Sequence, residues 1–273
     1  MKFAFLGYSR EEYWHALSKS EQDAMLENGF GYDAKLVKDG HILGDGVALQ
    51  PARTAKTLRW QNGKVIVSDG PFAETKEQLG GVGVLEARDL AQAVELMVNH
   101  PGLRYGATFE IRPINEESLQ RLALSMAKWH GNTPAMDPKG VKFASLGYIN
   151  ETGFGSKSES DFDAMMKECI AFDEERVKNG QWLSGIGLQG SGTAKTMRAK
   201  AGTVVITDGP FAETKEHLGG LVVLAFKDLN GAVSTLSKHP ALRFGVAIEI
   251  RPIDADINRL WEAKQGLASQ IDG

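Results

Sequence analysis

Cysteine is nearly absent. Cys169 stands alone in 273 residues, so no intramolecular disulfide can staple the chain, and a reducing compartment, the cytoplasm, is the expected location. Excess charge of one sign is missing too. Thirty-one Lys and Arg residues face thirty-five Asp and Glu, a net charge of -4. No stretch gathers the basic stripe that displaces counterions from phosphates, which excludes nucleic acid as the primary partner. Nothing approaches the ~20 consecutive apolar residues that span a bilayer, so no membrane partner is expected. The opening MKFAFLGYSREEYW has one short apolar run and no cleavage pattern behind it; it reads as a first strand rather than a leader. No spacing of His, Cys and carboxylates makes a metal set, and no Walker loop or dinucleotide fingerprint follows a strand, so no cofactor is expected.

What the chain does have, it has twice. DGPFAETKEQLGG at 69–81 returns as DGPFAETKEHLGG at 208–220, with one difference. KFAFLGY at 2–8 answers KFASLGY at 142–148, TAKTLR at 54–59 answers TAKTMR at 193–198, HPGLRYG at 100–106 answers HPALRFG at 239–245, and EIRPI recurs at 110–114 and 249–253. The offset is 140 early and 139 later, which places one lost residue near Asp45. A period this long excludes a short-repeat solenoid. Two modules, 1–130 and 141–273, joined by the Pro- and Gly-containing linker at about 130–140, are the economical reading.

Each module yields the same elements. KFAFLGY is a near-continuous apolar run suited to a buried strand. A helix follows, capped by Ser20 and running to about Asp39, with Leu26, Phe30 and Val37 near helical period and Gly40 or Gly180 ending it. HILGDGVALQ and a hairpin turning at Asn62–Gly63 come next, with Ala201–Gly202 at the turn of the second copy. Then follow the strand VGVLEA, a helix opened by Asp89 and Gln92 and stopped by Pro101, the strand ATFEIRPI, and a final helix at 116–129 or 254–270. Two helices on one face of a mainly antiparallel sheet give an α+β, ferredoxin-like layout. The bare face of each sheet needs a cover, and two copies in one chain supply it face to face.

The long DGPFAETKE segment, the GG after it, a helix ending in HP and a closing E-x-R-P strand resemble the DGPF subgroup of the YCII-related family, over both halves. That resemblance implies a dimeric α+β barrel, here an intramolecular pseudo-dimer, either monomeric or assembled into a higher homo-oligomer. A few YCII-related proteins are lyases that remove HCl from chlorinated aromatics, with a helix histidine as the proposed catalytic group; that position aligns with Gly29 and Cys169 here. Association of DGPF genes with alternative sigma factors implies a regulatory setting.

Four constellations could carry chemistry. Asp69–Gly70–Pro71–Phe72 and its twin at Asp208 form either a turn whose Phe plugs the core or a strand-end carboxylate acting as a base, with the charged Glu74, Lys76, Glu77 set, and Lys215 in the twin, nearby. On a helical wheel Asp33 falls within the stripe of Leu26, Phe30 and Val37, and Asp173 within that of Met166, Ile170 and Val177. A carboxylate there needs a structural partner or serves as a cleft base. Alternation on the last strand puts Glu110 and Arg112, with Glu249 and Arg251, on the face toward the other half. There they either pair or line a polar cavity, where Arg would anchor a carboxylate or phosphate. His100 and His239 precede proline at a helix end, as C-terminal caps or as acid–base groups. The leading expectation is a cavity between the two sheets that binds a small polar or anionic molecule, with Asp33 or Asp69 as base and Arg112 as anchor in a cofactor-independent lyase or isomerase step. The alternatives are a non-catalytic module acting through a protein partner, and a barrel interior packed solid.

Overall fold

The computed structural model describes residues 1–73, 75–117, 140–155, 158–212 and 214–266, with three further positions between 120 and 127. The first copy contains β1 (Lys2–Ser9), α1 (Glu11–Ala16), α2 (Lys19–Lys38), β2 (Ile42–Ala48), β3 (Lys56–Gln61), β4 (Lys64–Asp69), β5 (Gln78–Glu86), α3 (Leu90–Met97) and β6 (Thr108–Pro113). The second contains β7 (Val141–Ile149), α4 (Glu151–Gly155), α5 (Glu159–Lys178), β8 (Trp182–Gly187), β9 (Lys195–Lys200), β10 (Thr203–Asp208), β11 (His217–Phe226), α6 (Leu229–Leu236), β12 (Ala247–Pro252) and α7 (Ala255–Gln265). The expected terminal helix of the first copy, 116–129, lies mostly outside the described residues.

Local chemistry sets the boundaries. The long helix starts after Ser18, not Ser20, because Ser18 stands three residues before Glu21. The Ser18 N–H donates to the Glu21 carboxylate at 2.7 Å, and the Glu21 N–H donates back to the hydroxyl, a reciprocal cap that Ser20 has no glutamate to form. The hairpins turn where expected. Asn62 and Gly63, like Ala201 and Gly202, all have positive φ, the geometry of a type I′ turn.

The sheets are two, antiparallel and six-stranded, in the orders β10-β9-β6-β1-β5-β2 and β4-β3-β12-β7-β11-β8. Each contains the other copy's hairpin. Strand β9 pairs with β6, Phe109 opposite Met197, and β3 pairs with β12, Thr57 opposite Glu249. The hairpins thus leave their own modules and extend the partner sheets. Helix α7 also crosses over, packing on α2 of the first copy, where the Asn258 side chain bonds both backbone groups of Ala48 and Lys264 pairs with Glu27. Three apolar clusters result. One lies beneath the helices of each half, and a third lies between the facing sheets, built from residues such as Leu6, Val82, Val84, Leu146, Leu221 and Val223.

Candidate functional site

Asp33 is buried on α2, as its place in the apolar stripe implies. Its Oδ1 accepts from His100 Nε2 at 3.2 Å and its Oδ2 from the Trp261 indole N–H at 3.0 Å. His100 caps the short 3-10 turn at Pro101–Tyr105: its Nδ1 accepts the Gly102 N–H at 3.0 Å. An accepting Nδ1 puts the proton on Nε2, which donates to Asp33. This corrects the expected C-terminal cap: the ring serves the turn that follows the helix, not the helix end. The edge-on rings of Tyr32 and Phe109, with centroids 5.3 and 4.9 Å from that of His100, hold it in place.

The pair forms one wall of a chamber of about 170 Å³ between the helices and the first sheet. Phe5, Phe30, Ile42 and Phe109 give it apolar sides. Gly83 is required there: a Cβ on it would sit 2.1 Å from the Phe5 ring, which lies over the strand. Next to the chamber, with Ala48 and Ile257 lining both, runs a groove of about 600 Å³ beneath α1. Arg10, Trp14, Arg104 and Tyr105 line the groove. Glu11 and Asp254 line it as well, and Arg10 faces Glu77 at 3.7 Å, so the aromatic surface beside the Arg104 guanidinium is the part suited to an organic anion.

Between the sheets the geometry is different. Arg112 pairs with Glu110 on its own strand and donates to the Leu218 carbonyl; Arg251 pairs with Glu249 and donates to the Leu79 carbonyl. The second oxygen of each glutamate accepts a backbone N–H of the opposite D-G-P-F loop: Phe211 on Glu110 and Phe72 on Glu249, both at 2.8 Å. Phe72 stacks on Tyr148 at 4.1 Å and Phe211 on Tyr8 at 4.3 Å. The Arg59 guanidinium covers Phe72 from 4.3 Å. Burial pushes both tyrosine hydroxyls well up, with Glu110 adding to the effect on Tyr8 and Glu249 on Tyr148. Only about 60 Å³ of space is left beside these groups. The expected polar cavity between the sheets is therefore filled: the charges neutralise each other, the loops plug what remains, and aliphatic side chains occupy the middle.

The profile of the YCII-related domain matches residues 1–118 and again 141–254. The chain belongs to the YCII-related family. An uncharacterized protein of Rhizobium meliloti (strain 1021) is 35% identical over 115 residues, which is 42% of this chain and 92% of that protein. Two mutant chlorite dismutases of Candidatus Nitrospira defluvii resemble it in structure at 9% and 10% identity. Each alignment covers 97% of this chain, with 95% and 94% of the other and TM-scores of 0.47 and 0.44.

Within this YCII-related chain the sequence-picked residues separate. Asp33 and His100 come together; Gly29 faces them, a Cβ there lying 3.7 Å from His100 Cε1. Asp173 and His239 are a looser copy at 3.8 Å, with the carboxylate side chain about a third exposed. Asp69 and Asp208 lie in the open at strand ends, each paired with the lysine opposite on its hairpin, Lys56 or Lys195. Lys76 and Lys215 are exposed, and Glu74 lies outside the described residues. Phe72, expected to plug its own core, stacks on the other half instead, because its hairpin has crossed over. Trp261, Arg10 and Arg104 were not singled out by sequence reading. Trp261 had a signal: at the same offset in the first copy stands Leu122.

Proposed function

We propose that the first half binds a small ring compound bearing an anionic group, its ring in the chamber beside Asp33 and its charge toward Arg104 in the groove. One observation carries the reading: a buried carboxylate, held by two donors, faces an apolar space of about 170 Å³. An apolar cavity of about 150 Å³ accommodates benzene, so one six-membered ring fits. A hydroxyl on that ring would find the Asp33 carboxylate as its acceptor. In a cofactor-independent lyase or isomerase step, Asp33 would take that proton as general base, with the His100 and Trp261 N–H groups keeping it oriented. Arg112, committed to Glu110 and the Leu218 carbonyl between the sheets, is not the anchor in this reading.

The test is calorimetric titration with para-hydroxybenzoate. The expected result is saturable binding that falls about tenfold or more in Asp33→Asn and in Arg104→Ala, with Asp69→Asn unchanged. Absence of saturable binding, or equal affinity in Asp33→Asn, contradicts the proposal.

A further inference from the structure

The two copies differ in residues that line the chamber. Resting on the reading above, we propose that the chain carries one working site, in the first copy, and that Trp261, brought by the terminal helix of the second copy, is its positioning residue. The sequence leaves open whether both copies keep a site.

Ile42 and Trp182 occupy equivalent places, opposite Leu85 and Leu224 in their sheets. Ile42 lines the chamber, whereas Trp182 is buried in the second core cluster with Met165 and Cys169. Cys169 replaces Gly29 on the long helix, and Val222 replaces Gly83 on the central strand. Val222 takes the space over the strand that the Phe5 ring fills in the first copy, where the second has Ser145, so the larger Cys169 and Trp182 are the side chains that stand where the first copy leaves room for a ring. The acidic pair has changed in step. His100 is within hydrogen-bond distance of Asp33, while His239 is 3.8 Å from an Asp173 whose side chain is about a third exposed.

Trp261 helps to order Asp33. Its N–H takes one oxygen of Asp33 while His100 takes the other, and it reaches them because α7 crosses from the second copy onto α2. Leu122, at the matching sequence position, carries no donor. Two fixed donors define the plane of the carboxylate and so the direction in which its remaining lone pairs meet a ligand. The site is thus composite: the base comes from one copy and its orienting donor from the other.

Calorimetry with para-hydroxybenzoate and indole N–H NMR of the full chain test this together. The expected stoichiometry is one per chain. Ile42→Trp or the milder Gly29→Cys, each installing the second copy's residue, abolishes binding, and Asp173→Asn leaves it unchanged. Trp261→Phe keeps a ring but loses the donor, and weakens binding about tenfold at unchanged fold. Without ligand, the indole resonance that Trp261→Phe removes shifts in Asp33→Asn and stays in place in Asp173→Asn, a response that bulk packing alone does not give. Two sites per chain, or weakened binding in Asp173→Asn, overturns the single-site assignment while the chamber reading stands. An indole resonance indifferent to Asp33→Asn overturns the role of Trp261. No binding to the unaltered chain removes the chamber reading itself, and the single site with it.

Discussion

Tyr8 and Tyr148 hold their protons far above the usual tyrosine range because burial disfavours the phenolate, with the neighbouring glutamates adding to it. An unfolded tyrosine ionises at about pH 10. Above that pH the unfolded chain sheds protons that the folded chain keeps, so the stabilisation present below pH ~10 is lost as pH rises further. Urea midpoints across this range should fall with pH for the native chain and fall less steeply for Tyr148→Phe; equal slopes contradict the assignment. Cys169 makes a parallel case. Burial, then Asp173, raises its thiol to about 12. A thiol reagent at pH 8 should therefore label it only at the rate of unfolding, whereas fast labelling of the folded chain would show an accessible thiolate. Asp33 was legible as a buried carboxylate from helical spacing alone, since period and burial are local properties. Its partners were not, because His100 and Trp261 are 67 and 228 residues away.

At the scale of elements, the hairpins divide what the sequence shows from what it hides. Asn62–Gly63 announces the first turn, and Ala201 takes the same positive φ without the side chain that favours it. Ala201→Asn should therefore stabilise by about 0.5–1 kcal/mol, read as a higher urea midpoint with unchanged slope; a lower midpoint would contradict the turn geometry. Which sheet the hairpins join was not readable. The two copies present nearly identical strands and edges, so exchanged and unexchanged pairings share one local pattern. The same ambiguity hid the destination of α7. It also explains the role of the D-G-P-F segment, whose turn was legible but whose Phe reaches a tyrosine of the opposite copy only because its hairpin has crossed.

At the scale of the whole molecule, exchange makes the halves interdependent. Strands β3 and β4 complete the second sheet, β9 and β10 the first, and α7 covers the first copy's helix. A chain cleaved at a protease site inserted between residues 130 and 140 should elute as one particle under native conditions; separated halves would show that the exchange does not hold them. The facing sheets were legible from two one-sided sheets in one chain. Among the described residues the polar space between them beside Arg112 comes to only about 60 Å³; the sequence shows which residues face inward but not that Glu110 would pair with Arg112 and take the N–H of the opposite loop. The space for a ligand moved instead to the helical side, where glycine and isoleucine in one copy stand against cysteine and tryptophan in the other. The most direct measurement is a crystal structure of the chain soaked with para-hydroxybenzoate. The account predicts one ring per chain, in the first-copy chamber, with its hydroxyl on the Asp33 carboxylate. Density between the sheets beside Arg112, or equal density in both copies, would contradict it.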